Sequence, residues 1–168
     1  MVGLLRQRGG NRHPLSVTGF TSKDEKLAEV VAAIQLAIRQ HDRLRIYEGA
    51  IEDALKRAGA TCIKMSGYNL AFPQAIAKAC GHTGGNIDIY AEFSDKRAGI
   101  EVEPVGWYRA CESELLKLGW SDLDYRIIAW GVRQPGPIRK LVYVEMLPFP
   151  NPVLVITQFG IMEVSNGD

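Results

Sequence analysis

The chain alternates between two hydrophobic periods. From Leu27 onward, Leu27, Val30, Val31, Ile34, Ala37 and Ile38 recur at helical spacing to about Gln40, after a Ser22 and Glu25 pair spaced like a capping box. A second helix is predicted from about Arg43 to Ala58, where Gly59 stops it. The period then falls to two. A strand is expected near Thr61 to Met65, followed by a looser segment with a short helix from Pro73. In the stretch NIDIYAEFSDKRAGIEVE, Ile87, Ile89, Ala91 and Phe93 alternate with Asp88, Tyr90 and Glu92, and Ile100 and Val102 alternate with Glu101 and Glu103. The intervening SDKRAG reads as a hairpin turn centred near Lys96 and Arg97. Trp107 to Leu118 is helical by spacing, and DYRIIAWGVR, RKLVYVEML and PVLVITQF read as three closing strands. This order predicts an α/β (α+β) fold with a central mixed sheet flanked by helices.

A length of 168 residues suits a single domain with a sizeable core. Residues 1–20 lack periodicity, contain several breakers and several arginines, and read as a flexible basic arm ahead of one domain over 21–168. No apolar run approaches the roughly 20 residues needed to span a bilayer, so no membrane is expected. The three cysteines, Cys62, Cys80 and Cys111, are too few and scattered for a disulfide framework, which suits a cytoplasmic protein. Basic residues outnumber acidic ones in the first third, leaving that part as the better surface for a polyanion. No G-x-S-x-G is present, and HTGG lacks the strand-loop-helix setting of a phosphate loop.

The acids of the hairpin change the picture. With that turn, Asp88, Glu92, Glu101 and Glu103 share one face, Glu92 confronting Glu101. Like charges across a strand pair destabilise it unless a cation joins them. A divalent ion is the expected cation, because Mg²⁺ takes oxygen ligands and adjacent strands offer them on a rigid support. Carboxylates from the two strands could place two or three such ligands a few ångströms apart, and the Val102 carbonyl could supply a further oxygen.

These residues resemble the PD-(D/E)XK nuclease superfamily, whose members share the restriction-endonuclease-like fold. Its motif is an acid on one strand followed by acid, any residue and lysine on the next. Asp88 matches the first acid, Glu101 the second, and Glu103 stands at the lysine position. The segment IYEGAIEDALKRAG is similar to the preceding helix of archaeal Holliday-junction resolvases, with Glu48 and Gly59 at the matching separation. The resemblance covers about residues 43–119 and implies an αβββαβ core with extra C-terminal strands. It implies a Mg²⁺- or Mn²⁺-dependent deoxyribonuclease, an endonuclease of the junction-resolving or structure-specific kind, working as a homodimer on DNA. Asp88, Glu101, Val102 and Glu48 would hold the metal, and Glu103 would orient or deprotonate the attacking water. Lys64 or Lys117 could supply the missing ammonium. Arg43, Arg45, Lys64 and Trp107 are the expected DNA contacts, Trp107 by stacking on a base. The alternative is a protein of the same fold that has lost its chemistry with the lysine and binds nucleic acid or a protein partner.

Overall fold

A computed structural model describes residues 12–40, 48–104, 110–132 and 134–166. They form an α+β domain with one mixed sheet in the order β2-β3-β4-β5-β7-β8-β1-β6. The strands are β1 (His13–Gly19), β2 (Cys62–Ala71), β3 (Gly84–Phe93), β4 (Lys96–Glu103), β5 (Tyr125–Trp130), β6 (Glu145–Met146), β7 (Val153–Thr157) and β8 (Gly160–Asn166). The helices are α1 (Glu25–Gln40), α2 (Glu48–Arg57), α3 (Gln74–Cys80), α4 (Ala110–Gly119) and the single turn α5 (Gly136–Arg139).

The two faces of the sheet carry separate cores. On one, α1 buries Val30, Val31, Ile34, Ala37 and Ile38 and α2 buries Ile51, Ala54 and Leu55, against Ile89, Ala91, Ile100, Val102, Ile127 and Ile156. On the other, α4 sets Leu115, Leu116 and Leu118 against Ile87, Tyr90, Ile128, Trp130 and Val155. Asp24 caps α1: its Oδ1 accepts the Leu27 amide at 3.1 Å, while Ser22 Oγ accepts the Asp24 amide at 2.9 Å. The cap therefore sits two residues beyond the expected Ser22. Helix α2 ends at Gly59, whose φ of 90° suits glycine. Glu52 pairs with Lys56 at 3.1 Å across one turn, an exposed pair of little energetic consequence.

Strands β3 and β4 are antiparallel, and β4 and β5 run parallel with α4 as the crossover. The order α2, β2, β3, β4, α4, β5 is thus the expected αβββαβ succession. The details differ from expectation in four places. Residues His13–Gly19 are not part of an arm: they pair with β6 and β8, with Leu15 buried. Only Leu15 and Val17 mark this strand in a segment rich in breakers, so the pattern was too short to read. Strand β2 runs on past Met65 to Ala71, because a bulge at Ser66 (φ 52°) and Gly67 lets pairing resume at Tyr68. RKLVYVEML is mostly not a strand; Pro135 opens α5, a 3₁₀ turn covers Leu141–Tyr143, and Tyr143 is 83% exposed. A hairpin partner, β8, follows β7 where no strand was expected.

Candidate functional site

The β3–β4 turn is Ser94–Asp95, not Lys96–Arg97, and Phe93 pairs with Lys96. Ser94 takes a φ of 56°, one of the left-handed positions a two-residue turn requires. The register therefore differs from the expected one. Glu92 faces Arg97, not Glu101, and its Oε1 accepts the Tyr90 hydroxyl at 2.7 Å. Burial first, and Glu92 next, push the Tyr90 phenol up to about 12. Arg97 in turn donates to the Asp122 carboxylate and carbonyl. Glu92 thus has a structural partner and leaves the metal question to the other acids.

At the far end the strands part. Ladder pairing stops at Ile89 and Ile100. Ile87 and Tyr90 pack in the α4-side core while Ile89 packs in the α1/α2-side core, so strict alternation breaks at Asp88. The Asp88 carboxylate turns into the gap, where its Oδ2 accepts the Val102 amide at 2.8 Å. That hydrogen bond replaces the next rung of the ladder.

From the α4 side comes Glu101, only 2% exposed. Its carboxyl is pushed from an ordinary 4.5 up to about 8, chiefly by burial; Lys117 opposes the rise, and the adjoining Asp88 adds to it by hydrogen bonding and by charge. Lys117, on α4, lies 2.5 Å from Glu101 Oε1 and donates to the Asn86 carbonyl at 3.0 Å. Its contact with Oε1 is off the hydrogen-bond direction, so this buried oxygen has a charge partner but no well-directed donor among the described residues. Glu114, one turn before Lys117, is also raised by burial, with Asp88 adding to the effect. From the α1/α2 side, Glu48 opens α2, and burial followed by the charge of Asp88 raises its carboxyl.

The charge of Asp88 therefore acts on Glu101, Glu48 and Glu114, and Lys117 acts on Glu101 and Glu114 from α4. Glu103 stands two residues beyond Glu101 on the same strand face and is partly buried. Among the described residues, no three acidic, histidine or cysteine side chains are gathered closely enough to enclose a metal ion by themselves. Val102 contributes its amide to Asp88 and its side chain to the core. Lys64 lies on β2 with its Nζ 6.0 Å from the Tyr90 ring centroid, so Lys117 is the lysine that meets the acids. Arg43, Arg45 and Trp107 fall outside the described residues. Sequence reasoning missed Glu114. The signal was available in its i, i+3 spacing to Lys117 on the helix that must cross over between two parallel strands.

No family model matches the chain, and no solved structure matches it. Over 114 residues it is 27% identical to the CBL-interacting serine/threonine-protein kinase 13 of Arabidopsis thaliana, a span covering 68% of this chain and 22% of the kinase. A similarity to about a fifth of that protein carries no activity over to this chain. Among the described residues no helix is long and apolar enough to cross a membrane.

Proposed function

We propose that the chain is a divalent-metal-dependent nuclease that hydrolyses DNA phosphodiesters, of the PD-(D/E)XK kind its motif resembles. The observation that carries this reading is the pairing of Asp88 and Glu101 at the point where β3 and β4 part, with the Lys117 ammonium against Glu101. Mg²⁺ is commonly held by one or two carboxylates, its other positions taken by water and phosphate oxygens. Two acids therefore suffice. The donor set fits: all oxygen, with one buried Glu101 oxygen lacking a directed donor. Asp88 and Glu101 would hold the ion, with Glu48 approaching from the other face; when bound, it would neutralise charge building on the scissile phosphate.

The protein groups divide the remaining work. Burial keeps a proton on Glu101 near neutral pH, so cation binding there competes with that proton. Lys117, reaching in from α4, supplies the ammonium that the motif places two residues after Glu101, where Glu103 stands instead. Its charge is positioned to meet a phosphate oxygen and to orient a water. Glu103 or Glu48 would accept that water's proton. Action as a homodimer on branched DNA belongs to the same proposal, as does residence in the cytoplasm, where Cys62 and Cys80 would stay as the free thiols they are.

A second reading draws on the same contact. If Lys117 neutralises Glu101 permanently, the fold binds DNA or a partner protein without cutting. A cleavage assay on linear, nicked, single-stranded and four-way DNA with Mg²⁺ or Mn²⁺ decides between them. Metal-dependent cutting that is lost in Asp88→Ala supports the nuclease. Metal-independent retention without cutting supports the binder.

A further inference from the structure

Beside the acids lies a cavity of about 400 Å³, within the range of roughly 300–1,000 Å³ that small-molecule clefts occupy. It opens between α3, α4, β6 and the start of β3. Its apolar walls are Phe72, Leu116, Met146 and Leu147, and Arg12, His82, Glu112 and the stem of Lys117 join the lining. Arg12 is held at the edge by donating to the Glu145 carbonyl at 3.3 Å.

Two glycines shape the floor for different reasons. Gly84 has a φ of 139°, and a Cβ there would lie 1.8 Å from the Leu70 carbonyl oxygen, so its glycine is dictated by the backbone. Gly85 has no such constraint: a Cβ would meet only the Lys117 Cδ, at 3.6 Å. The bare backbone at Gly85 leaves the cavity floor open beneath the lysine stem.

Lys117 joins the two places. Its stem and Gly85 line the cavity, while its ammonium touches Glu101 and the Asn86 carbonyl. Gly85 precedes Asp88 by three residues on one strand, about 10 Å at the rise of an extended chain. That is the reach from a phosphate to the base of the adjoining nucleotide.

On the nuclease reading above, we infer that this cavity receives the base of one unpaired nucleotide next to the phosphodiester at Asp88 and Glu101. A base in a stack cannot enter such a cleft, so the nucleotide must be single-stranded, terminal or turned out of the duplex. Phe72 with the aliphatic walls accepts the flat ring, and the Arg12 guanidinium at the edge favours a nucleotide over a neutral apolar ligand. The substrate is therefore DNA carrying an unpaired nucleotide at the cut, as at a flap, a bulge or the open centre of a junction.

The test uses the full chain in two arms. In the first, deoxyadenosine 5′-monophosphate and deoxyribose 5-phosphate are titrated in the presence of Ca²⁺. The nucleotide is expected to bind at least about tenfold tighter, the range of one base-aromatic contact, and Ser113→Trp, which fills the cavity from the exposed side of α4, removes that preference. Equal binding of the two compounds, no binding, or a preference unchanged in Ser113→Trp overturns the inference. In the second, cleavage is followed on DNA with a bulged nucleotide or an abasic residue at the same position. A roughly tenfold lower kcat/KM for the abasic substrate, absent in Phe72→Ala, is expected. Cutting that ignores the base overturns the cavity but not the nuclease, whereas base-dependent binding with no cutting of any substrate overturns the nuclease but not the cavity.

Discussion

The two ends of the β3–β4 hairpin start from the same sequence pattern and finish differently. At the turn end the ladder is complete, Glu92 accepts from Tyr90, Arg97 pairs with Asp122, and Tyr68 stacks on Tyr90 with centroids 5.3 Å apart. At the open end the ladder stops, Asp88 takes the place of a rung, and Glu101 is buried against Asp88 and Lys117. Acidic alternation alone therefore does not make a site. Acids along a continuous ladder find neutral or cationic partners; those at the divergence are forced together. Burial, with the charge of Asp88 adding to it, raises the carboxyls of Glu101, Glu48 and Glu114, a signature more common at functional sites than on wet sheet faces.

The sharpest way to break the comparison is to remove an acid from each end. Asp88→Ala or Glu101→Ala should take cleavage below detection while circular dichroism stays native, whereas Glu92→Gln should leave the rate within about twofold. If all three variants cut equally well, the two ends do not differ in function. Next in size, Lys117→Met should lower kcat by roughly 10²–10³, the loss expected when one preorganised cation or donor is deleted. The same change at Lys64, which lies over Tyr90, should have little effect.

The packed end can be broken through Gly99. A Cβ there would lie 2.3 Å from Leu123 Cδ1, so Gly99→Ala should cost about 1–3 kcal/mol in urea denaturation by forcing the α4-side core to shift. The pH dependence of stability sharpens the contrast further. Folding favours the protonated form of Glu101, so its stabilisation is complete below 4.5 and is lost as pH rises through about 8. In metal-free buffer the melting temperature should therefore be higher at pH 6 than at pH 9, and Glu101→Gln should flatten most of that slope. A slope unchanged in the variant would mean that Glu101 does not hold its proton. Smallest of all, Arg97→Ala removes an exposed ion pair with Asp122 and should cost only about 0.2–1 kcal/mol.

How much of this was legible in the sequence follows from what each pattern encodes. Helical stripes such as Val30, Val31, Ile34 and Ile38 report burial directly, so α1 and α2 were readable, as was the alternation of β3 and β4. Register was not. It depends on a two-residue turn at Ser94–Asp95, and a shift of that turn exchanged Arg97 for Glu101 as the partner of Glu92. The break at Asp88 left no mark in the sequence, because Ile87 and Ile89 are apolar whichever core they enter. Strand β1 was hidden because its partners, β6 and β8, lie more than 120 residues away. Asp88 and Glu101 were identifiable by motif, whereas Lys117 gained its place only through the parallel crossover that lays α4 over β4.

The most direct measurement is a calorimetric titration of Mn²⁺ into the wild-type chain, Asp88→Asn, Glu101→Gln and Glu92→Gln at pH 8.5, where Glu101 has largely released its proton. Saturable binding should appear in the wild type and Glu92→Gln and disappear in Asp88→Asn and Glu101→Gln. Binding that survives both of the latter, or is missing from the wild type, would contradict a divalent-ion site at the divergence of β3 and β4.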